Sequence, residues 1–300
     1  MTQERRLVIF MHRFARVSFL LLFVATPVFL LAASRVECNR FHSRLLRRDV
    51  PYCVVLPSSY DTDKTRRYPV VYYLHGLGDN EQSLVNLGGW QIYDDLFRQK
   101  KIGEFLMIAP NGYSSFFINS RDGKFAYKDF FFKEFLPAME KKYRVKAERS
   151  SRGIMGISMG GYGAMNYAFS HPQMFAAVST HMAALRDGGP PDLDDTREGR
   201  ILANVFGKPV DDAFYKKNSP FTLVRNLPVS TLRRMAIYFD CGTSDNYGFD
   251  QGARGMDKLL TERGVKHEFH LYPGRHDWQF VLDHFAASLE FQSKALHATP

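Results

Sequence analysis

Three side chains far apart in the sequence have the types needed for acyl chemistry through a serine hydroxyl: Ser158, Asp245 and His276. Ser158 lies in Gly156-Ile-Ser158-Met-Gly160, which fits the nucleophile-elbow pattern G-x-S-x-G. There the serine occupies a sharp strand-to-helix turn, and a Cβ at either flanking glycine would clash because the two backbones crowd each other. A serine hydroxyl is a poor nucleophile until an imidazole takes its proton, and that imidazole needs a carboxylate to fix its tautomer. The oxyanion formed on a substrate must then meet fixed N–H donors, each worth on the order of 3–4 kcal/mol. Ser, Asp, His is also the chain order in which the partners of a G-x-S-x-G serine follow it.

Other residues compete for these roles. Asp240 ends a strand and has nearby backbone to bond, whereas Asp245 is several residues into the following loop with better reach, so Asp245 is preferred. Asp277 points away from the site and reads as the cap of a helix opening at Trp278. His267 and His270 are three apart on a strand, facing opposite sides as surface or packing residues. His181 follows a strand end, where a cap role is preferred over a place at a pocket border; His75 reads as structural. No H-E-x-x-H occurs, and neither a metal nor a cofactor is expected.

The elements that must position these groups alternate in type. Strands are expected at 50–56 (an early edge strand), 68–74, 105–109, before the elbow, and at 175–180, 235–239 and 267–272. Helices are expected around 92–100, over 128–143 with apolar residues at helical spacing, from the elbow to Ser170, at 251–263 and from Trp278. This alternation predicts an α/β fold, a mostly parallel sheet covered by helices on both faces, with acid and histidine leaving the same strand ends as Ser158. Residues 182–230 break the rhythm with Gly188-Gly-Pro-Pro191 and three further prolines. They read as a small cap-like insertion over the site, with too few apolar residues for a core of their own.

At 300 residues and 45% apolar content the chain can bury a large core. The formal charge is +9, of which Arg5, Arg6, Arg13 and Arg16 against Glu4 place +3 in the first 34 residues. No long basic run remains, which argues against a nucleic-acid partner. The basic start, the apolar run Val17–Leu31 and Ala32-Ala33-Ser34 read as a signal peptide over 1–34, with Met11 as an alternative start. The run falls short of the roughly 20 residues of a membrane span and Pro27 interrupts it, so export is preferred over an uncleaved anchor. Residues 35–300 are then one catalytic domain, secreted or periplasmic. Of the three cysteines, Cys38 and Cys53 have the option of pairing. The preferred reading makes Cys53 and Cys241 small buried residues on strands.

His75-Gly-Leu-Gly, Gly156-Ile-Ser-Met-Gly-Gly-Tyr-Gly-Ala, Gly242-Thr-Ser-Asp245 and Gly274-Arg-His276-Asp-Trp together resemble the esterase D (putative esterase) family of α/β-hydrolases. The resemblance covers roughly residues 45–292. That family includes feruloyl, acetyl and tributyrin-type esterases, formylglutathione hydrolases and mycobacterial mycolyltransferases. It implies an α/β-hydrolase fold, with Ser158 as nucleophile, His276 as general base and Asp245 as its orienting carboxylate. The oxyanion donors it implies are the backbone N–H groups of Leu77 and Met159.

Substrate is less legible. Tyr113, Phe116 and Phe117 follow a strand on the catalytic side, and Tyr247 and Phe249 follow Asp245, so aromatics are expected around the acyl group. The elbow flank, the His-Asp-Trp triplet and export favour a secreted carboxylesterase acting on short acyl esters or on ester side groups of plant polymers. The alternatives are an acyltransferase of the mycolyltransferase type, a formylglutathione-type thioesterase and a non-catalytic binding module.

Overall fold

Apolar runs buried on both faces form the centre of an eight-stranded sheet. The structure, a computed structural model, describes residues 33–189 and 196–299. The segment 1–34 read as a signal peptide lies outside them apart from Ala33 and Ser34. The strands are β1 (Arg35–Ser43), β2 (Arg48–Leu56), β3 (Val70–Leu74), β4 (Leu106–Pro110), β5 (Arg152–Ile157), β6 (Ala177–His181), β7 (Ala236–Gly242) and β8 (Glu268–Tyr272). They lie in the order β1-β2-β4-β3-β5-β6-β7-β8. The pairs β1–β2 and β2–β4 are antiparallel, and every pair from β4 to β8 is parallel.

β2 is not the edge strand that the sequence suggests. β1 covers it along its whole length, from Arg35 opposite Leu56 to Ser43 opposite Arg48. β1 is mostly polar and charged, so no apolar run marks it. Cys38 faces Cys53 across this pair and the two are disulfide-bonded. Cys53 is thus buried but not a free apolar residue, which corrects the preferred reading; Cys241 is buried and free as expected.

The helices are α1 (Ser83–Asn86), α2 (Gly89–Arg98), α3 (Tyr127–Phe130), α4 (Leu136–Lys142), α5 (Met159–Ser170), α6 (Arg197–Phe206), α7 (Asp212–Asn218), α8 (Pro220–Asn226), α9 (Val229–Leu232), α10 (Phe249–Glu262) and α11 (Trp278–Ala295). A π-helical turn, Phe131–Phe135, joins α3 to α4, so the helix expected over 128–143 is present in three pieces. Helices cover both faces of the sheet. On β5, a Cβ at Gly153 would meet Gln292 of α11, whereas one at Gly156, on the opposite face, would meet Gly160 of α5.

Residues 182–230 hold α6, α7, α8 and the start of α9. Their apolar residues Leu202, Val205, Phe206 and Tyr215 form a small cluster with Ile118 and Tyr162 from the main body, against which Phe116 also packs. The insertion is tied down by polar bonds as well. The Asn218 carbonyl accepts from the Tyr162 hydroxyl at 2.9 Å and from the Asn166 amide at 2.6 Å. Among the described residues no helix is long and apolar enough to cross a membrane.

Candidate active site

β5 ends at Ile157 and α5 begins at Met159, which leaves Ser158 at the junction with φ 54° and ψ −115°. A non-glycine residue in that region is strained and persists only when its surroundings over-determine it. Here they do. The Ser158 N–H donates to the His181 carbonyl at 2.9 Å, and the Ser158 carbonyl accepts from Tyr162 and Ala184 at 3.0 and 2.9 Å. The flanking glycines allow the close approach: a Cβ on Gly156 would lie 2.2 Å from the Gly160 carbonyl oxygen, and one on Gly160 would lie 2.0 Å from that of Leu74.

The loops leaving β7 and β8 bring the other two groups to this serine. His276 Nε2 is 2.9 Å from Ser158 Oγ, and His276 Nδ1 is 2.7 Å from Asp245 Oδ2. An ionised carboxylate only accepts, so the ring proton belongs on Nδ1 and Nε2 is left to accept from the serine hydroxyl. Asp245 Oδ1 accepts the N–H groups of Tyr247 and Phe249 at 2.8 and 3.4 Å. Burial pushes the Asp245 carboxyl up, but the His276 ring and these backbone donors outweigh it and hold the pKa below its ordinary value. The Cys241 thiol donates to Asp245 Oδ2 at 3.5 Å; burial, then the nearby carboxylate, pushes that thiol up. The rings of Tyr247 and Phe249 stand edge-on to the imidazole at 4.9 and 5.4 Å.

Asp240 is absent from this set, in keeping with the preference for Asp245. Its carboxylate accepts from His181 Nδ1 at 2.9 Å and from the Tyr238 hydroxyl at 2.9 Å, and His181 Nε2 lies 2.7 Å from Ser288 Oγ. This is a second Ser–His–Asp arrangement, but the His181 and Asp240 side chains have 0% exposure and no substrate can reach them. The cap role preferred for His181 is therefore corrected: it is the last residue of β6, held in the sheet interior. His75 is structural, as expected. It bonds the Gly76 carbonyl through Nδ1 at 2.8 Å and accepts the Gly112 N–H through Nε2 at 2.8 Å. Burial lowers its pKa to about 4, so the ring is neutral. Asp277 caps α11 as expected, accepting the Phe280 N–H at 2.9 Å.

A cavity of about 220 Å³ opens beside Ser158 and His276. Leu77 and Met159 line it, and among the described residues neither of their N–H groups is given to another backbone carbonyl. Met159 is the first residue of α5, where an N–H has no acceptor within the helix. Of the aromatics expected around a substrate, Phe116 and Tyr247 line the cavity and Phe249 joins them.

Two expectations fail here. Phe117 has no exposure and does not line the cavity; its ring packs 5.5 Å from that of His75. Tyr113 turns to Phe125 and lines a separate cavity. The reason is local: Tyr113, Phe116 and Phe117 all have positive φ, near 52–59°, so neighbouring side chains do not alternate as in an extended loop.

The remaining walls were missed in the sequence. Phe206 and Tyr215 come from the insertion, with ring centroids 5.0 Å apart, and Phe206 lies 5.9 Å from Phe116. Arg186, whose guanidinium carbon is 5.4 Å from the Phe249 ring, and Arg197 bring charge to the same cavity. The apolar members of α6, spaced at 202, 205 and 206, were the available signal. Among the described residues no group of three or more His, Cys, Asp or Glu is placed to hold a metal ion.

The sheet order, the strained serine between β5 and α5, and the acid and histidine on the loops after β7 and β8 define an α/β-hydrolase fold. Residues 43–293 match the family described as "Esterase: Putative esterase", and the chain belongs to that family. It is 29% identical over 266 residues to "Esterase MT1326" of Mycobacterium tuberculosis (strain CDC 1551 / Oshkosh), covering 81% of this chain and 56% of that protein. The chain thus spans about half the length of that relative. It is 33% identical over 160 residues to an "Endo-1,4-beta-xylanase/feruloyl esterase" of Xylanibacter ruminicola, covering 51% of this chain and 21% of the other. A solved structure described as a ferulic acid esterase superposes with a TM-score of 0.76 at 28% identity, covering 88% of this chain and 99% of its own.

Proposed function

We propose that the chain is an exported serine carboxylesterase that hydrolyses short-acyl or aromatic esters, of the acetyl or feruloyl kind, through a Ser-His-Asp triad and an acyl-enzyme. The observation that carries this reading is the continuous bonding of Ser158 Oγ to His276 Nε2 at 2.9 Å and of His276 Nδ1 to Asp245 at 2.7 Å, on the wall of a cavity. Family membership supports ester chemistry, and the relatives named as esterases agree with it.

His276 takes the Ser158 proton as Oγ attacks the ester carbonyl carbon. The N–H groups of Leu77 and Met159 receive the resulting oxyanion. Asp245 holds the imidazole and stabilises its charged form. His276 then delivers its proton to the alcohol oxygen as the carbon–oxygen bond breaks, leaving the acyl group on Ser158. A water loses a proton to His276, attacks the acyl carbon and releases the acid, and the proton returns to Ser158.

The aromatic walls from Phe116, Phe206 and Tyr247 suit a small acyl or cinnamoyl-type group. Export is supported by the Cys38–Cys53 disulfide, a bond that persists in oxidising compartments, together with the signal-like residues 1–34.

The test is turnover of acetyl to octanoyl p-nitrophenyl esters, methyl ferulate, acetylated xylan and S-formylglutathione. Ser158→Ala should cut turnover by roughly 10⁶-fold in folded protein. Retained turnover in that variant overturns the mechanism. Acyl-glycerol formed in the presence of glycerol, in place of free acid, would replace hydrolysis with acyl transfer.

A further inference from the structure

The cavity beside Ser158 carries two guanidinium groups, from Arg186 and Arg197, that the hydrolytic steps above do not use. Arg186 closely follows Ala184, whose N–H bonds the Ser158 carbonyl at 2.9 Å, so its backbone is tied to the nucleophile's own turn. Its Nη2 donates to the Tyr247 carbonyl at 2.9 Å, and its guanidinium carbon lies 5.4 Å from the centre of the Phe249 ring. Among the described residues no acceptor takes its other N–H groups and no carboxylate pairs with it. The carboxylate next in the chain, Asp187, is bonded to Arg225 at 2.6 Å instead. Arg197 likewise has no ion pair among the described residues, and Glu198 is the one described carboxylate lining the cavity beside the two cations. Arg186 is half-buried, and a guanidinium so placed without a counter-ion has given up hydration that a bound anion restores.

Tyr215 supplies a second donor. It lines the same cavity, buried, with its ring 5.0 Å from that of Phe206, and its hydroxyl has no hydrogen-bond partner among the described residues. Burial raises the phenol and the Arg186 charge opposes that rise, which sets the two groups near each other. The phenol keeps its proton, so hydroxyl and guanidinium both present donors to the cavity. Such a pair fits a carboxylate: the planar guanidinium fork matches its two oxygens, and charge-assisted hydrogen bonds are about twice as strong as neutral ones. Phe206, against which Tyr215 packs, belongs to the wall assigned above to the acyl group.

We propose that Arg186 and the Tyr215 hydroxyl form a carboxylate-binding site within the catalytic cavity, so that the preferred acyl group is one that ends in an ionised carboxylate, as in the monoester of a dicarboxylic acid. Hydrolysis of such an ester consumes one water at the acyl-enzyme and releases the alcohol and a dicarboxylate. The inference rests on the esterase reading above and narrows its acyl group.

Monomethyl esters of succinic, glutaric and adipic acid test it against methyl butanoate, pentanoate and hexanoate, which match them carbon for carbon without the second carboxylate. In the wild type, kcat/KM should be about tenfold higher for at least one charged ester than for its neutral match. Arg186→Gln should bring that ratio to about one, chiefly by raising KM for the charged ester, and Tyr215→Phe should lower it about threefold. Arg186→Lys, which keeps the charge but not the fork, should retain part of it. A ratio near one in the wild type overturns the site. So does an equal loss on charged and neutral esters in Arg186→Gln, which would assign Arg186 to holding the Tyr247 loop alone.

Calorimetric titration with free adipate separates this inference from the one beneath it. Should the wild type cleave none of the esters, the esterase reading falls. Adipate binding that is lost in Arg186→Gln then still upholds the carboxylate site, and absence of binding overturns it. Unchanged unfolding midpoints confirm that the variants are folded.

Discussion

The backbone carbonyl of His181 receives the N–H of Ser158 at 2.9 Å, while the imidazole of the same histidine is bonded to Asp240 and Ser288 in the sheet interior. The strained serine is therefore anchored to a residue whose side chain cannot move without breaking a buried polar cluster. Asp240→Ala leaves the His181 ring N–H and the Tyr238 hydroxyl without their acceptor. The expected loss is about 3 kcal/mol or more in denaturant unfolding, since each orphaned buried group costs about 1–3 kcal/mol.

Asp245→Asn has the opposite profile. The carboxylate fixes the His276 tautomer, and an amide at that place offers a donor where Nδ1–H needs an acceptor. The expected outcome is a fall in kcat of roughly 10⁴-fold with an unfolding midpoint close to that of the wild type. Comparison with Asp240→Ala tells the two carboxylates apart: one variant loses rate, the other stability.

Stability should depend on pH through His75. Its pKa is lowered from 6.5 to about 4 by burial, so between those values the unfolded chain binds one proton more than the folded chain. The stabilisation is complete above 6.5 and is lost as pH falls towards 4, a change on the order of 3 kcal/mol. His171, half-buried against Phe132 and also lowered to about 4 by burial, adds to the same slope. In His75→Gln the slope between these pH values should shrink by about one proton, measured from denaturant midpoints across the range.

The acyl preference should follow the insertion. Phe206→Ala removes a ring that touches both Phe116 and Tyr215, leaving space at the cavity wall. The expected result is a shift in kcat/KM towards bulkier acyl groups, by about tenfold relative to acetyl. An ester series of increasing acyl size measures it.

The hairpin of β1 and β2 is held by the Cys38–Cys53 bond across a sequence separation of 15. Replacing both cysteines with serine should cost about 3 kcal/mol for a loop of this length. The triad geometry lies elsewhere, so turnover below the unfolding midpoint should be unchanged.

The parts of the molecule that were legible in advance are those where one residue type has little alternative. Gly156 and Gly160 allow the elbow, the Ser, Asp, His order follows from strand order, and continuous apolar runs mark β3 and β4. The edge escaped because β1 is polar and owes its form to pairing with β2 rather than to its own composition. The cavity wall escaped for two reasons. The positive φ values at Phe116 and Phe117 send adjacent rings in different directions, one to the cavity and one to the core. Phe206 and Tyr215 sit in a segment that completes its apolar cluster by borrowing Ile118, Tyr162 and Phe116, a long-range match that local periodicity does not record. Asp240 and His181 face each other across the register of β6 and β7, which becomes visible only once strand order is known.

Cys241 turns the neighbourhood of Asp245 into a built-in clock. It is the free thiol among the described residues, it is buried against the Asp245 carboxylate, and its ionisation is suppressed. A thiol reagent added to native protein should therefore find almost no target, and the rate at which it reacts should count the openings of the β7 end. Followed alongside loss of turnover, that labelling would reveal whether the site comes apart by itself or only with the whole sheet.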